Sequence, residues 1–249
     1  MEQIKGPVRW EDLDEGIREG FLDGGLTKVT LHGGHGFVDE STQRVKSFYA
    51  KSDIDAFIEK ASARENNYYG ETDGYLYDGL DWIGNNVFDL QGKEIVILGS
   101  QIPWYESLCL SYDMKPITID YTRIETDDER LSVLTVDEHK SNPVKRDLAL
   151  SISSFEHSGL GRYGDPIDPD GDLKSMQDVK NDILNDGGLL ILAVPVGHDL
   201  IDFNAHRIYG PHRLEKLLEG YETLYTSLKQ EDFEVTHSCR QPIFVLRAK

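Results

Sequence analysis

From Gln91 onward the chain repeats one arrangement: a short run that is apolar on both of its faces, then a helix-forming stretch, then another such run. Successive side chains of a strand point to opposite sides, so a run is apolar throughout only when both sides are covered. Glu94-Ile95-Val96-Ile97-Leu98 is the clearest case and stops at Gly99, and residues 116–120, 131–136, 147–153 and 189–196 follow it. Residues 104–112 read as a helix. Ahead of the last run, Leu173, Met176, Val179, Ile183 and Leu184 share one helix face, with Gly187-Gly188 as the expected terminator. Strands of this kind separated by helices predict an α/β fold with a mostly parallel sheet covered on both sides. At the end the alternation breaks. Residues 233–238 and 243–247 both read as strands, and the turn between them is too short for anything but an antiparallel pair.

The first 66 residues have a different texture, rich in glycine and charge. One helix is expected there, over 52–64, where Ile54, Phe57, Ile58 and Ala61 recur at helical spacing. The turn Leu31-His32-Gly33-Gly34-His35-Gly36 reads as surface, and residues 66–75 are polar, aromatic and turn-prone. We therefore divide the chain into an appendage or lid, residues 1–66, and a main domain, residues 67–249.

Charge narrows the partners. Asp and Glu number 45 against 26 Lys and Arg, a formal net charge of −19, which repels phosphate backbones and anionic lipid. Neither nucleic acid nor a membrane surface is expected. Two cysteines, Cys109 and Cys239, are too few for a disulfide scaffold, and no apolar run reaches membrane-span length. The expectation is a cytoplasmic protein; the sequence leaves its oligomeric state open.

Ligands of open α/β sheets sit beyond the carboxyl ends of the strands, where the strand order reverses. After the first strand comes Gly99-Ser100-Gln101-Ile102-Pro103, leading into a helix N-terminus. After the second comes Asp120, placed to accept hydrogen bonds from both hydroxyls of a ribose. The loop has no Gly-x-Gly-x-x-Gly; it has one glycine, a proline and the bulky Trp104 and Tyr105. A pyrophosphate needs closer backbone approach than that. A ribose-bearing ligand without phosphate, such as S-adenosylmethionine, fits better than a dinucleotide.

The segment from Asp147 through Ser151, Ser153, Glu156 and His157 to Gly159 resembles the turn after the fourth strand of class I S-adenosylmethionine-dependent methyltransferases. The continuation, Gly159-Leu160-Gly161-Arg162-Tyr163-Gly164-Asp165-Pro166-Ile167-Asp168-Pro169-Asp170-Gly171-Asp172, is similar to a methyltransferase-like family known as domain of unknown function 268. The phrases from Gly99 to Glu106 and from Asn204 to Tyr209 are similar to it as well. The resemblance covers residues 68–249 and implies a Rossmann-like methyltransferase fold. It also implies donor-binding roles: Gly99 and Ser100 beneath the methionine part, Asp120 on the ribose with Tyr121 beside it, Val136 against the adenine and Asp137 on its amino group, and Ser151 and Ser153 on the sulfonium side. One departure is that Ile97 stands where the family pattern has an acid.

On the acceptor side, His157 is the expected general base, raised in pKa by nearby acids and oriented by Asp165. Arg162, Tyr163, His206 and Arg207 are the expected substrate-binding groups. The acids Asp165, Asp168, Asp170 and Asp172 lack the glycine that an EF-hand loop requires, since Leu173 occupies that place. Asp170 and Asp172 read as helix caps, and a divalent ion near His157 is the less favoured reading. A loop crowded with Asp, Arg, His and Tyr suits an acceptor with several hydroxyls. The expected function is methyl transfer from S-adenosylmethionine to a hydroxyl of a sugar or glycan. The alternative is a non-catalytic scaffold that keeps the fold, which the apolar Ile97 favours.

Overall fold

A computed structural model describes residues 4–31, 37–41, 47–234 and 240–249. His32, His35, Cys239 and most of the expected strand 233–238 lie outside the described residues. The N-terminal part contains α1 (Glu15–Leu22), β1 (Lys28–Leu31), β2 (Ser47–Tyr49), α2 (Lys51–Ser62) and α3 (Glu71–Asn86). The alternating part follows with β3 (Glu94–Leu98), α4 (Trp104–Ser111), β4 (Lys115–Asp120), β5 (Ile124–Thr126), β6 (Ser132–Thr135), α5 (Val136–Ser141) and β7 (Arg146–Ile152). Then come α6 (Gly171–Asp178), β8 (Leu184–Ala193), β9 (Leu200–Phe203), β10 (His206–Ile208), α7 (Pro211–Leu217), β11 (Tyr221–Thr226) and β12 (Ile243–Ala248).

The main sheet has the order β11-β12-β8-β7-β3-β4-β6. Its strands run parallel except β12, which is antiparallel to both neighbours. Side-chain alternation divides the core between the two faces. Ile95 and Ile97 of β3 bury with Leu76, Leu80 and Ile83 of α3 and Trp104 and Leu108 of α4. Val96, between them, buries with Met176 of α6 and Leu214 and Leu217 of α7. The two-sided apolar strands follow directly from this double covering. A Rossmann-like class I methyltransferase fold is the result: three strands step outward from β3 to β6, the chain crosses back to β7, and the antiparallel β12 inserts beside β8.

Three details correct the sequence reading. The partner of the C-terminal strand is β11, with Glu222 opposite Arg247, and residues 230–234 form a 3-10 helix instead of a strand. Gly187 and Gly188 lie inside β8; the helix ends at Asp178 and continues as one wide π turn, Val179–Ile183. The polar stretch after Asn66 becomes α3 from Glu71, because Leu76, Leu80 and Ile83 fall on one face against the sheet. Gly79 permits that close approach: a Cβ there would stand 3.1 Å from Ile243 Cγ2.

The N-terminal residues join the rest through pairing and packing. β1 adds in parallel to β9, and β2 adds in parallel to β5. Leu13 and Phe21 bury with Leu160, Ile167, Ile201 and Phe203. Tyr49 and Ile54 bury with Ile124 and Leu131. These contacts bring residues of the first segment to the carboxyl ends of β3, β4 and β7. No helix among the described residues is long and apolar enough to cross a membrane.

Candidate active site

The order reverses between β3 and β7, so the loops after these strands and after β4 converge. Gly99 leaves β3 with φ +77° and donates its N–H to the Ile119 carbonyl at 3.1 Å. A Cβ at this position would lie 2.6 Å from Ser154 Oγ, in the turn after β7. Both the dihedral and the space demand glycine. Gly99→Ala should therefore lose about 1–2 kcal/mol of stability in urea unfolding from the left-handed backbone alone. Adding Ser154→Ala should recover the steric part of the loss and leave the backbone part; full recovery would show that the dihedral is not strained.

Ser100 N donates to Asp120 Oδ2 at 3.2 Å, and Thr122 N donates to Oδ1 at 2.6 Å. The Asp120 carboxylate thus ties the end of β4 to the loop after β3, and each of its oxygens keeps a second lone pair. Tyr49 from the first segment and Tyr68 just beyond it hold the same loop. Tyr49 OH donates to Ser100 Oγ at 2.9 Å, and Tyr68 OH donates to Gln101 Oε1 at 2.7 Å. Tyr121 is largely exposed. Thr135 caps α5 through a reciprocal box with Glu138, leaving Val136 half-buried and Asp137 exposed in the first turn.

Behind the loop lies a residue that the sequence reading passed over. Glu106, in the first turn of α4, is fully buried, and Thr118 Oγ1 donates to its Oε1 at 2.7 Å. Its Oε2 has no hydrogen-bond partner among the described residues. Burial pushes this carboxyl up to about 7, against the Thr118 hydroxyl. The signal was present in the text: a lone acid within Trp104-Tyr105-Glu106-Ser107-Leu108-Cys109, a stretch otherwise without charge.

After β7, Ser153 adopts φ +51° and donates Oγ to Glu156 Oε1 at 2.6 Å. Glu156 is 1% exposed, and its Oε2 likewise has no hydrogen-bond partner among the described residues. Burial pushes the carboxyl up to about 7, outweighing the Ser153 hydroxyl. Tyr69, Arg162 and Tyr163 stand close enough to interact with it or with Ser153. Ser151, one turn of the pleat earlier, is buried.

His157 Nδ1 lies 2.6 Å from the Ala205 carbonyl oxygen. A carbonyl only accepts, so Nδ1 carries the proton and Nε2 keeps its lone pair. Nε2 stands 3.9 Å from Glu156 Oε1, with the Tyr163 ring edge-on at 5.6 Å and His206 at 6.4 Å. Burial lowers the His157 pKa to about 4, against the Ala205 carbonyl and helped by the Arg162 charge. The expectation of a raised histidine is therefore overturned: desolvation outweighs the acids nearby.

The expected orienting role of Asp165 is overturned too. Its carboxylate accepts from Gly159 N at 2.8 Å, Gly161 N at 3.1 Å and Tyr163 N at 3.2 Å, which folds the glycine-rich loop upon itself. Arg162 is engaged by Glu40, with Nε to Oε2 at 3.1 Å and Nη2 to Oε1 at 2.9 Å. Arg207 is 1% exposed and donates to the carbonyls of Glu156, Ser158, Asp168 and Pro169, so it holds the loop and presents nothing to an acceptor. Asp170 stands at the N-cap of α6 and Asp172 in its first turn, as expected, but neither side chain acts as a cap. The N-cap Asp170 makes no capping bond, and Asp172 is buried against Arg213, Arg207 and Tyr209. Among the described residues no group of three or more His, Cys, Asp or Glu could hold a metal ion. A cavity of about 550 Å³ bounded by Gly20, Asp23, Pro169, Asp170 and Lys216 includes none of the groups gathered at the strand ends.

A family model described as "Caenorhabditis protein of unknown function, DUF268" matches residues 92–242. No curated protein matches the sequence. Among solved structures, the chain is similar to a 1,6-didemethyltoxoflavin-N1-methyltransferase of Burkholderia thailandensis with bound 1,6-didemethyltoxoflavin and S-adenosylhomocysteine. That match has a TM-score of 0.48 at 12% identity, covering 78% of this chain and 79% of the other. An S-adenosylmethionine dependent methyltransferase from Mesorhizobium loti matches with a TM-score of 0.45 at 11% identity, covering 70% of this chain and 97% of the other.

Proposed function

The chain belongs to the DUF268 family, and, from its strand order and the groups at the strand ends, we propose that it is an S-adenosylmethionine-dependent O-methyltransferase acting on a hydroxyl of a sugar or glycan. One observation carries this reading: the sheet order brings the Gly99–Ser100 loop, Asp120 and the Ser153–His157 turn to one edge. The donor set suits a ribose, since a carboxylate stands at the end of β4 and the loop after β3, with its single glycine, lacks the small residues that a pyrophosphate needs. In this reading Asp120 accepts from the ribose hydroxyls with Tyr121 alongside. Gly99 and Ser100 underlie the methionine part, Val136 and Asp137 meet the adenine, and Ser151 and Ser153 face the sulfonium. When bound, S-adenosylmethionine supplies a methyl group on a positively charged sulfur.

Glu156 is the base. The Glu156 carboxylate would take the proton of an acceptor hydroxyl, whose oxygen would receive the methyl group that the donor supplies and leave S-adenosylhomocysteine behind. His157, neutral with its Nε2 lone pair fixed, accepts a hydrogen bond that orients the acceptor. Tyr163, His206 and the Glu40-paired Arg162 offer further polar contacts suited to neighbouring hydroxyls.

Calorimetry tests the donor assignment. S-adenosylmethionine and S-adenosylhomocysteine should bind and NAD should not, and Asp120→Ala should cost about 1.5–3 kcal/mol of binding. Unchanged affinity in that variant would remove the ribose role. A non-catalytic reading has one observation in its favour, that Ile97 buries an apolar chain in the core; donor binding without transfer to any hydroxyl acceptor would select it.

A further inference from the structure

Glu106 takes no part in the reaction described above, yet its surroundings are costly to build. A buried carboxyl with a vacant oxygen loses hydration and gains nothing for Oε2 in return. Thr118 and Asp120 from β4 and Ser100 from the loop after β3 act on it, it acts in turn on Tyr49 of β2 and Cys109 of its own helix, and none of these is basic. The carboxyls of Glu106 and Asp120 thus act on each other behind the loop that follows β3. Such a place favours a cation. Tyr49 OH sits on Ser100 Oγ at 2.9 Å, near enough to Glu106 to feel its charge.

We propose that Glu106 is the counter-ion of the ammonium group of the bound donor, reached when the Tyr49 hydroxyl gives up its place on Ser100. The inference rests on the donor assignment made under Proposed function. An ammonium carries three N–H donors and supplies the bond that Oε2 lacks, while Thr118 keeps Oε1. Burial holds the empty carboxyl up at about 7. A cation beside it favours the charged form, so donor binding just below neutrality should expel a proton.

The test compares S-adenosylmethionine and S-adenosylhomocysteine with 5′-methylthioadenosine, which keeps the nucleoside and thioether but has no ammonium. Calorimetry of the full chain near pH 6.5, in buffers of different ionisation enthalpy, should show proton release with the first two ligands only. E106Q should weaken both by roughly tenfold, abolish the release and leave 5′-methylthioadenosine unchanged. Glutamine mimics the protonated acid that the fold already carries at low pH, and a thermal melt checks that the variant is folded. Equal affinity of E106Q and the parent for S-adenosylmethionine, or an equal loss for all three ligands, would overturn the role of Glu106 alone. Failure of all three to bind the parent would overturn the donor assignment and this inference with it.

Discussion

Glu156→Gln should lower methyl transfer by about 10²–10⁴-fold while S-adenosylhomocysteine still binds, the size expected for removing a positioned base. Glutamine keeps the shape and still accepts from Ser153, but it cannot take a proton. The parent carboxyl is pushed up to about 7 by burial, which puts its proton affinity near the working pH. The reactive form is the carboxylate, so kcat/KM of the parent should rise with pH through about 7 and level off above it. His157 is lowered to about 4 by burial and stays neutral throughout that range, so it cannot be the source of the rise. Labelled S-adenosylmethionine with a mixture of monosaccharides and oligosaccharides measures the transfer. Retention of both rate and pH profile in the variant would move the base elsewhere.

The same carboxyls leave a mark on stability. Glu106 and Glu156 are both raised to about 7 in the fold, against about 4.3 in an unfolded chain. Between those values the native state holds protons that the unfolded chain has released. Their contribution is therefore complete below about pH 4.3 and is lost as pH rises through about 7, with the charged, buried form disfavoured above. Glu156→Gln should flatten part of that slope in urea unfolding measured from pH 5 to 8, independently of any acceptor.

Much of the sheet was legible because its strands are covered twice. Glu94–Leu98 could only be a strand buried on both faces, and the position of Gly99 and Asp120 at strand ends followed from it. What failed to show depended on partners far along the chain. α3 hides behind Gly74, Gly79 and Gly84, whose cost to an isolated helix is offset by docking on β12. Residues 221–226 become β11 through their pairing with β12, which their own sequence does not announce. Glu156 is conspicuous only once burial is known, since an acid is normally solvated, whereas Glu106 stands out as the lone charge of residues 104–109. Arg207 misled for the opposite reason. A charged residue near a glycine-rich loop resembles a ligand group until the loop is seen closed around it.

That closure depends on an acid, and the largest stability effect should follow its removal: Asp172→Ala is expected to cost about 3–5 kcal/mol in urea unfolding. Asp172 is fully buried, accepts from Arg213 Nε and Tyr209 OH at 3.1 Å each, and lies 3.6 Å from Arg207 Nε. Burial pushes its carboxyl up, but the Arg207 charge and then the Arg213 hydrogen bond outweigh it and hold the carboxyl below its ordinary value. Its contribution is present above about pH 4 and is lost as the pH falls through the lowered value. Alanine leaves two buried guanidinium groups without that charge. Asp170 pairs with the same Arg213 at 3.2 Å but is 59% exposed, so Asp170→Ala should cost only about 0–1 kcal/mol. Equal unfolding midpoints for the two variants would show that the buried cluster adds nothing. Nor should an apolar swap of Asp172 and Arg207 together restore stability, as it can for a simple ion pair. Arg207 also donates to the carbonyls of Glu156, Ser158, Asp168 and Pro169, and an apolar side chain would leave those acceptors unpaired at the turn that holds the base.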